Sequence, residues 1–132
     1  MRYILMMHAP RGTGQYQITE WKPEELTAHI QHMRDLNVEL KKRGEFVVAE
    51  GLAPPVAARL VKGEKNNKAI VSDGPFAESK EFLVGFWMID VDSEERAFEI
   101  AGHAGMAPGP GGTPMNIPIE VRPVMAAPLP DA

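Results

Sequence analysis

Apolar positions follow two different periods along this chain, and the switches between them mark out its elements. Tyr3-Ile4-Leu5-Met6-Met7 is a continuous apolar run. It reads as a buried first strand from Arg2 to His8, stopped by Ala9, Pro10 and the Gly-rich residues up to Gly14. No clear period follows until Trp21, and that segment is expected to run over the surface. Leu26, Ile30, Met33, Leu36 and Leu40 then recur at spacings of 4, 3, 3 and 4, which places them on one stripe of a helix. Pro23 suits the first helical position, Glu24 and Glu25 put acid in the first turn, and Lys41 to Gly44 close the helix.

Strand-like patterns resume at Glu45 to Gly51, bounded by glycines and ended by Pro54-Pro55. Val56 to Lys62 and Lys68 to Ser72 read as the arms of a hairpin around the turn residues Gly63-Glu64-Lys65-Asn66-Asn67. A corner follows at Asp73-Gly74-Pro75, with Asp73 expected to close an Asx-turn, Gly74 to take positive φ and Pro75 to fix φ near −65°. Phe82 to Val91 is the longest apolar strand, with Gly85 as a bulge or a close approach. Asp92 and Glu95 suit an N-terminal cap pair for a second helix that turns Ala97, Phe98, Ala101 and Ala104 inward. His103 to Pro114 is rich in Gly and Pro and reads as an ordered loop or a mobile lid. Ile117, Ile119 and Val121 alternate with Pro118, Glu120 and Arg122 as a half-buried strand. The tail from Ala126 is expected to fray.

The order strand, helix, strand, hairpin, strand, helix, strand predicts one α+β domain, residues 1–125, with a mostly antiparallel sheet. Both helices connect strands and can share one face of the sheet, which leaves the other bare. Phe86 and Trp87 point opposite ways along their strand, so both faces carry apolar groups. A second copy in a twofold homodimer would cover the bare face and create a cleft.

Composition narrows the partners. At 132 residues the chain can bury about two thirds of its unfolded surface without staples, and it has no cysteine for a disulfide or a thiolate nucleophile. The absence of cysteine, of a membrane-length apolar run and of a signal-peptide core leads to the expectation of a cytoplasmic protein without a membrane partner. A net charge of −4 argues against nucleic acid. The densest basic cluster, Lys41-Lys42-Arg43, is explained by the negative end of a helix dipole. The run Gly109-Pro110-Gly111-Gly112 could cradle an anion with backbone N–H groups, but no nucleotide-binding glycine pattern or GxSxG elbow is present.

Asp73-Gly74-Pro75-Phe76-Ala77-Glu78-Ser79-Lys80-Glu81, the strand Leu83 to Val91 and the ending Ile119 to Met125 together resemble the YCII-related family, in particular its DGPF-domain branch. The opening Arg2 to His8 and the segment Glu50 to Pro55 are similar too, so the resemblance spans nearly the whole chain. It implies a ferredoxin-like fold, βαββαβ with an inserted hairpin, that dimerises through its sheets into a barrel-like assembly. For activity it implies less: most of the DGPF branch has no assigned reaction. Some relatives are linked to breakdown of hydroxylated aromatics, including a cofactor-free dehydrohalogenation, with a His and an Asp as working groups. The insert Gly105 to Pro114 is more Gly-rich than the family pattern.

Histidines carry the candidate chemistry. His29 lies about 60° from Leu26 on the flank of the apolar stripe and His32 about 100° from its centre. A partly buried imidazole is a general base near neutral pH, and the family's helix histidine falls near here. His29 is therefore the expected base, with His32 behind it and Asp73 as its orienting carboxylate. A core-edge histidine and a turn aspartate are the structural alternatives. Arg2 or Lys80 would hold an anionic group, Glu78 and Lys80 a polar substrate, and Trp87 an aromatic one. No ligand pattern for a metal accompanies the four histidines, and neither metal nor cofactor is expected. Two functions remain open: a dimeric, metabolite-binding, cofactor-free acid–base enzyme of the isomerase or lyase type acting on a polar or hydroxylated aromatic molecule, or a non-catalytic dimeric module that binds a ligand or protein.

Overall fold

The computed structural model describes residues 1–10, 20–76 and 81–125. Its elements in chain order are β1 (Arg2–Pro10), α1 (Pro23–Lys42), β2 (Phe46–Gly51), β3 (Arg59–Gly63), β4 (Ala69–Asp73), β5 (Glu81–Asp90), α2 (Glu94–Gly105) and β6 (Ile119–Pro123). Four strands form an antiparallel sheet in the order β2-β5-β1-β6, and β3-β4 form a separate hairpin. Each helix joins two parallel strands that have a third between them. This is the α+β arrangement with an inserted hairpin that the pattern predicts, and it agrees with the ferredoxin-like fold that the resemblance implies.

Strand alternation sorts side chains between the two faces. Tyr3, Leu5 and Met7 of β1 and Trp87 and Ile89 of β5 turn to the helices. They pack with Val91, Leu36, Leu40, Ala97, Ile100, Ala101 and Ala104 into one core. Leu5 and Ile89 have no exposed surface, and each such side chain contributes about 1.5–3 kcal/mol by leaving water.

Several local expectations are corrected. The buried stripe of α1 is His29, Leu36 and Leu40, with Met33 packed against it; Ile30 is exposed. At its N-terminus the Lys22 N–H donates to Glu25 Oε1 at 3.0 Å. Ser93, one residue after the expected cap, caps α2 by accepting from the Arg96 N–H at 3.2 Å. Ile100 is buried where Phe98 was expected, because Phe98 lies on the outer face and is 52% exposed. Arg96 then reaches back to Glu45 with two bonds of 2.9 Å and ties α2 to the entry of β2. This paired guanidinium holds the Glu45 carboxyl below the usual carboxylate range.

The corner at residue 73 also differs from its expectation. Pro75 has no N–H for Asp73 to accept from, and the peptide Gly74–Pro75 is cis. Gly74 does not take positive φ. Its place is explained by proximity: a Cβ there would sit 3.3 Å from the Ala58 carbonyl carbon, the Arg59 nitrogen and the Leu60 side chain. Gly85 fulfils both of its readings. The register slips beside it, between Met7 and His8, and a Cβ would lie 3.1 Å from the Glu50 carbonyl oxygen.

Candidate functional site

Three of the four histidines gather where α1 meets α2 and the Gly/Pro-rich loop. The His29 ring is buried, edge-on to Trp21 at 5.1 Å between centroids, and its Nδ1 lies 2.9 Å from the Pro108 carbonyl oxygen. A carbonyl can only accept, so Nδ1 carries the proton in this bond. Burial pushes the His29 pKa down, the Pro108 bond opposes that, and the neighbouring His32 adds to the fall. His32 stacks on His103 with centroids 4.7 Å apart, and its Nε2–H donates to the His103 carbonyl at 2.8 Å.

The loop itself is ordered by the same helix. Glu25 accepts the Gly111 N–H, and that bond leads the causes that lower the Glu25 pKa. The glycine run suggested for an external anion thus has one N–H turned to the chain's own carboxylate. Inside the loop Gly109 N–H donates to Thr113 at 2.8 Å and Met115 N–H to Ala107 at 3.0 Å. Gly111 and Gly112 take φ of 71° and 77°, which glycine allows without steric cost.

The other predicted residues are placed elsewhere. Asp73 ends β4 with its carboxylate almost fully exposed, and Arg59 Nε is 3.8 Å away. The bond that orients the His29 ring comes from Pro108 rather than from Asp73. Trp87 is 4% exposed inside the core and donates from Nε1 to Asn37 Oδ1 at 2.9 Å. Glu78 and Lys80 lie outside the described residues. A shallow hollow at the hairpin tip, lined by Gly63, Glu64, Lys65 and Asn66, borders none of the predicted site residues.

Arg2 belongs to the sheet face that carries no helix, and the register shows what shares that face. Ile4 stands between Met88 and Arg122, and Met6 between Phe86 and Glu120. Val48 extends the first row and Glu50 the second. Ile4, Met6, Val48, Phe86 and Met88 are only half-buried. Beyond one end of this apolar strip lies Arg2, opposite Asp90, while Arg122 flanks the strip on β6. At the other, His8 Nε2 is 3.2 Å from Glu120 Oε1, with side-chain exposures of 29% and 50%. In the sequence His8 stands only as the last residue of the first strand. Its signal was available in the alternation, since His8 shares parity with Ile4 and Met6, and Glu120 lies opposite Ile119 and Val121.

The profile of the YCII-related domain matches residues 1–107. The chain is also 36% identical over 95 residues to an uncharacterized protein of Rhizobium meliloti (strain 1021), a match covering 70% of this chain and 72% of the other. The chain belongs to the YCII-related family. The matched stretch ends one residue before Pro108, the acceptor of the His29 bond, and before β6. Among the described residues no helix is long and apolar enough to cross a membrane, and no group of three or more His, Asp or Glu side chains could hold a metal ion.

Proposed function

We propose that this protein is a homodimer that binds a polar or hydroxylated aromatic small molecule at the uncovered face of its sheet and catalyses cofactor-free proton transfer there. The observation that carries the reading is the composition of that face. An apolar strip of Ile4, Met6, Val48, Phe86 and Met88 runs between charged ends, with both helices on the other side. A twin sheet laid over it would remove the strip from water and enclose a cleft.

The helix-side histidines suit this chemistry less well than the sheet face does. His29 is buried against Trp21 and bonded to Pro108, and His32 is bonded to the backbone of α2. Both bonds fasten secondary structure. A non-catalytic dimeric binding module is the second reading, favoured by the modest size of the chain and the open geometry of the face.

Sedimentation at micromolar concentration tests the assembly. A particle of twice 14.5 kDa is expected, reduced to a single chain by Met88→Lys; a lone chain for the unaltered protein would overturn the dimer. A thermal-shift screen against hydroxylated aromatics and lactones then separates the two readings. Turnover of a stabilising hit supports the enzyme, and binding without turnover supports the module.

A further inference from the structure

We infer that the hairpin β3–β4 is an arm that clasps a second copy of this chain, seating its valines and lysines on the row Glu50, Phe86, Met6 and Glu120 of the twin's uncovered face. This rests on the reading of the protein as a homodimer, and adds to it the segment that holds the two copies together and the row that receives it.

An isolated two-stranded hairpin is marginally stable in water and needs a surface to pack on. This one makes little use of its own chain: four of the five residues of β3 and all five of β4 are exposed. Its sequence is nonetheless that of a packing element. Val61 stands directly opposite Val71 on one face of the pair, and the two are 61% and 60% exposed, with Ile70 on the other face 50% exposed. Cross-strand pairs of β-branched side chains suit a half-buried sheet. The root, by contrast, is held. The Gly74 N–H donates to the Ala58 carbonyl at 3.0 Å, and Arg59 Nη1 donates to the carbonyls of Val56 and Ala58 at 3.0 and 2.8 Å. A fixed base under an uncovered apolar blade suits an arm that packs on another molecule.

Charge selects a second copy as the occupant. From Arg59 to Asp73 the chain holds four basic and two acidic side chains, and outside that stretch ten and sixteen. The arm is therefore positive and the rest of the molecule negative. Arg59 is engaged locally, 3.8 Å from Asp73, which leaves the surplus on Lys62, Lys65 and Lys68. None of these three is in an ion pair among the described residues. On the uncovered face the register sets Glu50 opposite Phe86, Phe86 opposite Met6 and Met6 opposite Glu120. That row is apolar in its middle and carboxylate at both flanks, the complement of paired valines bordered by lysines. Arm and row also lie at one end of the sheet. The hairpin leaves from the end of β2 and returns to the start of β5, while Glu50 is next to last in β2 and Glu120 second in β6. A twofold axis near that end gives each row the arm of the other copy, so both contacts form together.

The test uses the full chain. Isotope-labelled and unlabelled copies are mixed and left to exchange, and isotope-filtered NMR should show contacts from the Val61 and Val71 methyls of one copy to Met6 and Phe86 of the other. In sedimentation, Val61→Ser with Val71→Ser should weaken the dimer roughly tenfold or more. Lys62→Glu with Lys65→Glu and Lys68→Glu should weaken it by a similar factor. Adding Glu50→Lys and Glu120→Lys to the reversed lysines should restore association, whereas lysines that only guard an exposed strand against random pairing would give no such rescue. If the unaltered chain is a dimer whose arm makes no contact with the other copy, and the arm variants sediment as it does, this inference falls while the homodimer stands. If the unaltered chain is single at micromolar concentration, both fall. The NMR contacts are read on the unaltered sequence, so they decide the matter even where a variant misfolds.

Discussion

The covered and uncovered faces of the sheet share the same backbone and differ in what their side chains are asked to do. On β1, Leu5 is sealed and its neighbour Ile4 is half-open; on β5, Ile89 is sealed and Met88 half-open. The histidines divide in the same way. His29, on the covered side, has its ring against Trp21 and a bond to Pro108 that holds a loop in place. His8, on the bare side, meets a carboxylate at the surface. The covered histidine is thus held by packing and a backbone bond, and the uncovered one stands partly exposed beside a carboxylate.

Paired truncations on β5 separate the two faces by the largest effect. Ile89→Ala should cost about 2–5 kcal/mol in urea unfolding, the range for a sealed core side chain. Met88→Ala should cost less than about 1 kcal/mol in the isolated chain, with a larger loss that grows with protein concentration if a twin covers it. Equal, concentration-independent losses would mean the two faces are not distinct in the way described.

A second pair sharpens the account of the covered side within one helix. A Cβ on Gly105 would run into the Ile117 carbonyl oxygen, whereas at Gly102 it would meet nothing within 4 Å. Gly105→Ala should destabilise by about 1–3 kcal/mol through overpacking. Gly102→Ala should stabilise by up to about 1 kcal/mol, since alanine is the better helix former. Thermal unfolding of both variants checks the signs.

The smallest effect is a slope. His29 is neutral in the fold because its pKa is lowered from 6.5, so below about pH 6.5 the unfolded chain binds a proton that the native chain refuses. Stability must then fall as the pH is lowered from that point, by at most about 1.4 kcal/mol per pH unit for this one group, and level off below the native value. His29→Gln should remain folded and lose that part of the slope, measured by urea titrations between pH 7 and 5. An unchanged slope would show that the ring is not held neutral by its surroundings.

The boundaries of α1, the hairpin and the bulge at Gly85 were legible because turn residues and periodicity act over a few neighbours. The spacing of the helical stripe turns Ile30 inward, where the structure leaves it exposed, while His29 on the flank of that stripe is buried as its position on the wheel predicts. A loop more than seventy residues downstream supplies the carbonyl that makes a buried imidazole tolerable. The inward face of α2 went astray at Phe98 for a related reason, since its orientation is set by Ser93 and by the Arg96 tie to Glu45.

What the sequence determined by itself was the set of elements, their order and the existence of a face that no helix covers, because periods of 2.0 and 3.6 are written in local neighbours. The partner of each polar side chain was decided only in the tertiary structure. His8 and Glu120 are 112 positions apart and meet because β6 is laid beside β1. Asp73 goes instead to an exposed arm beside Arg59. Such pairings depend on strand order and register, and these are set by how the helices pack on the sheet.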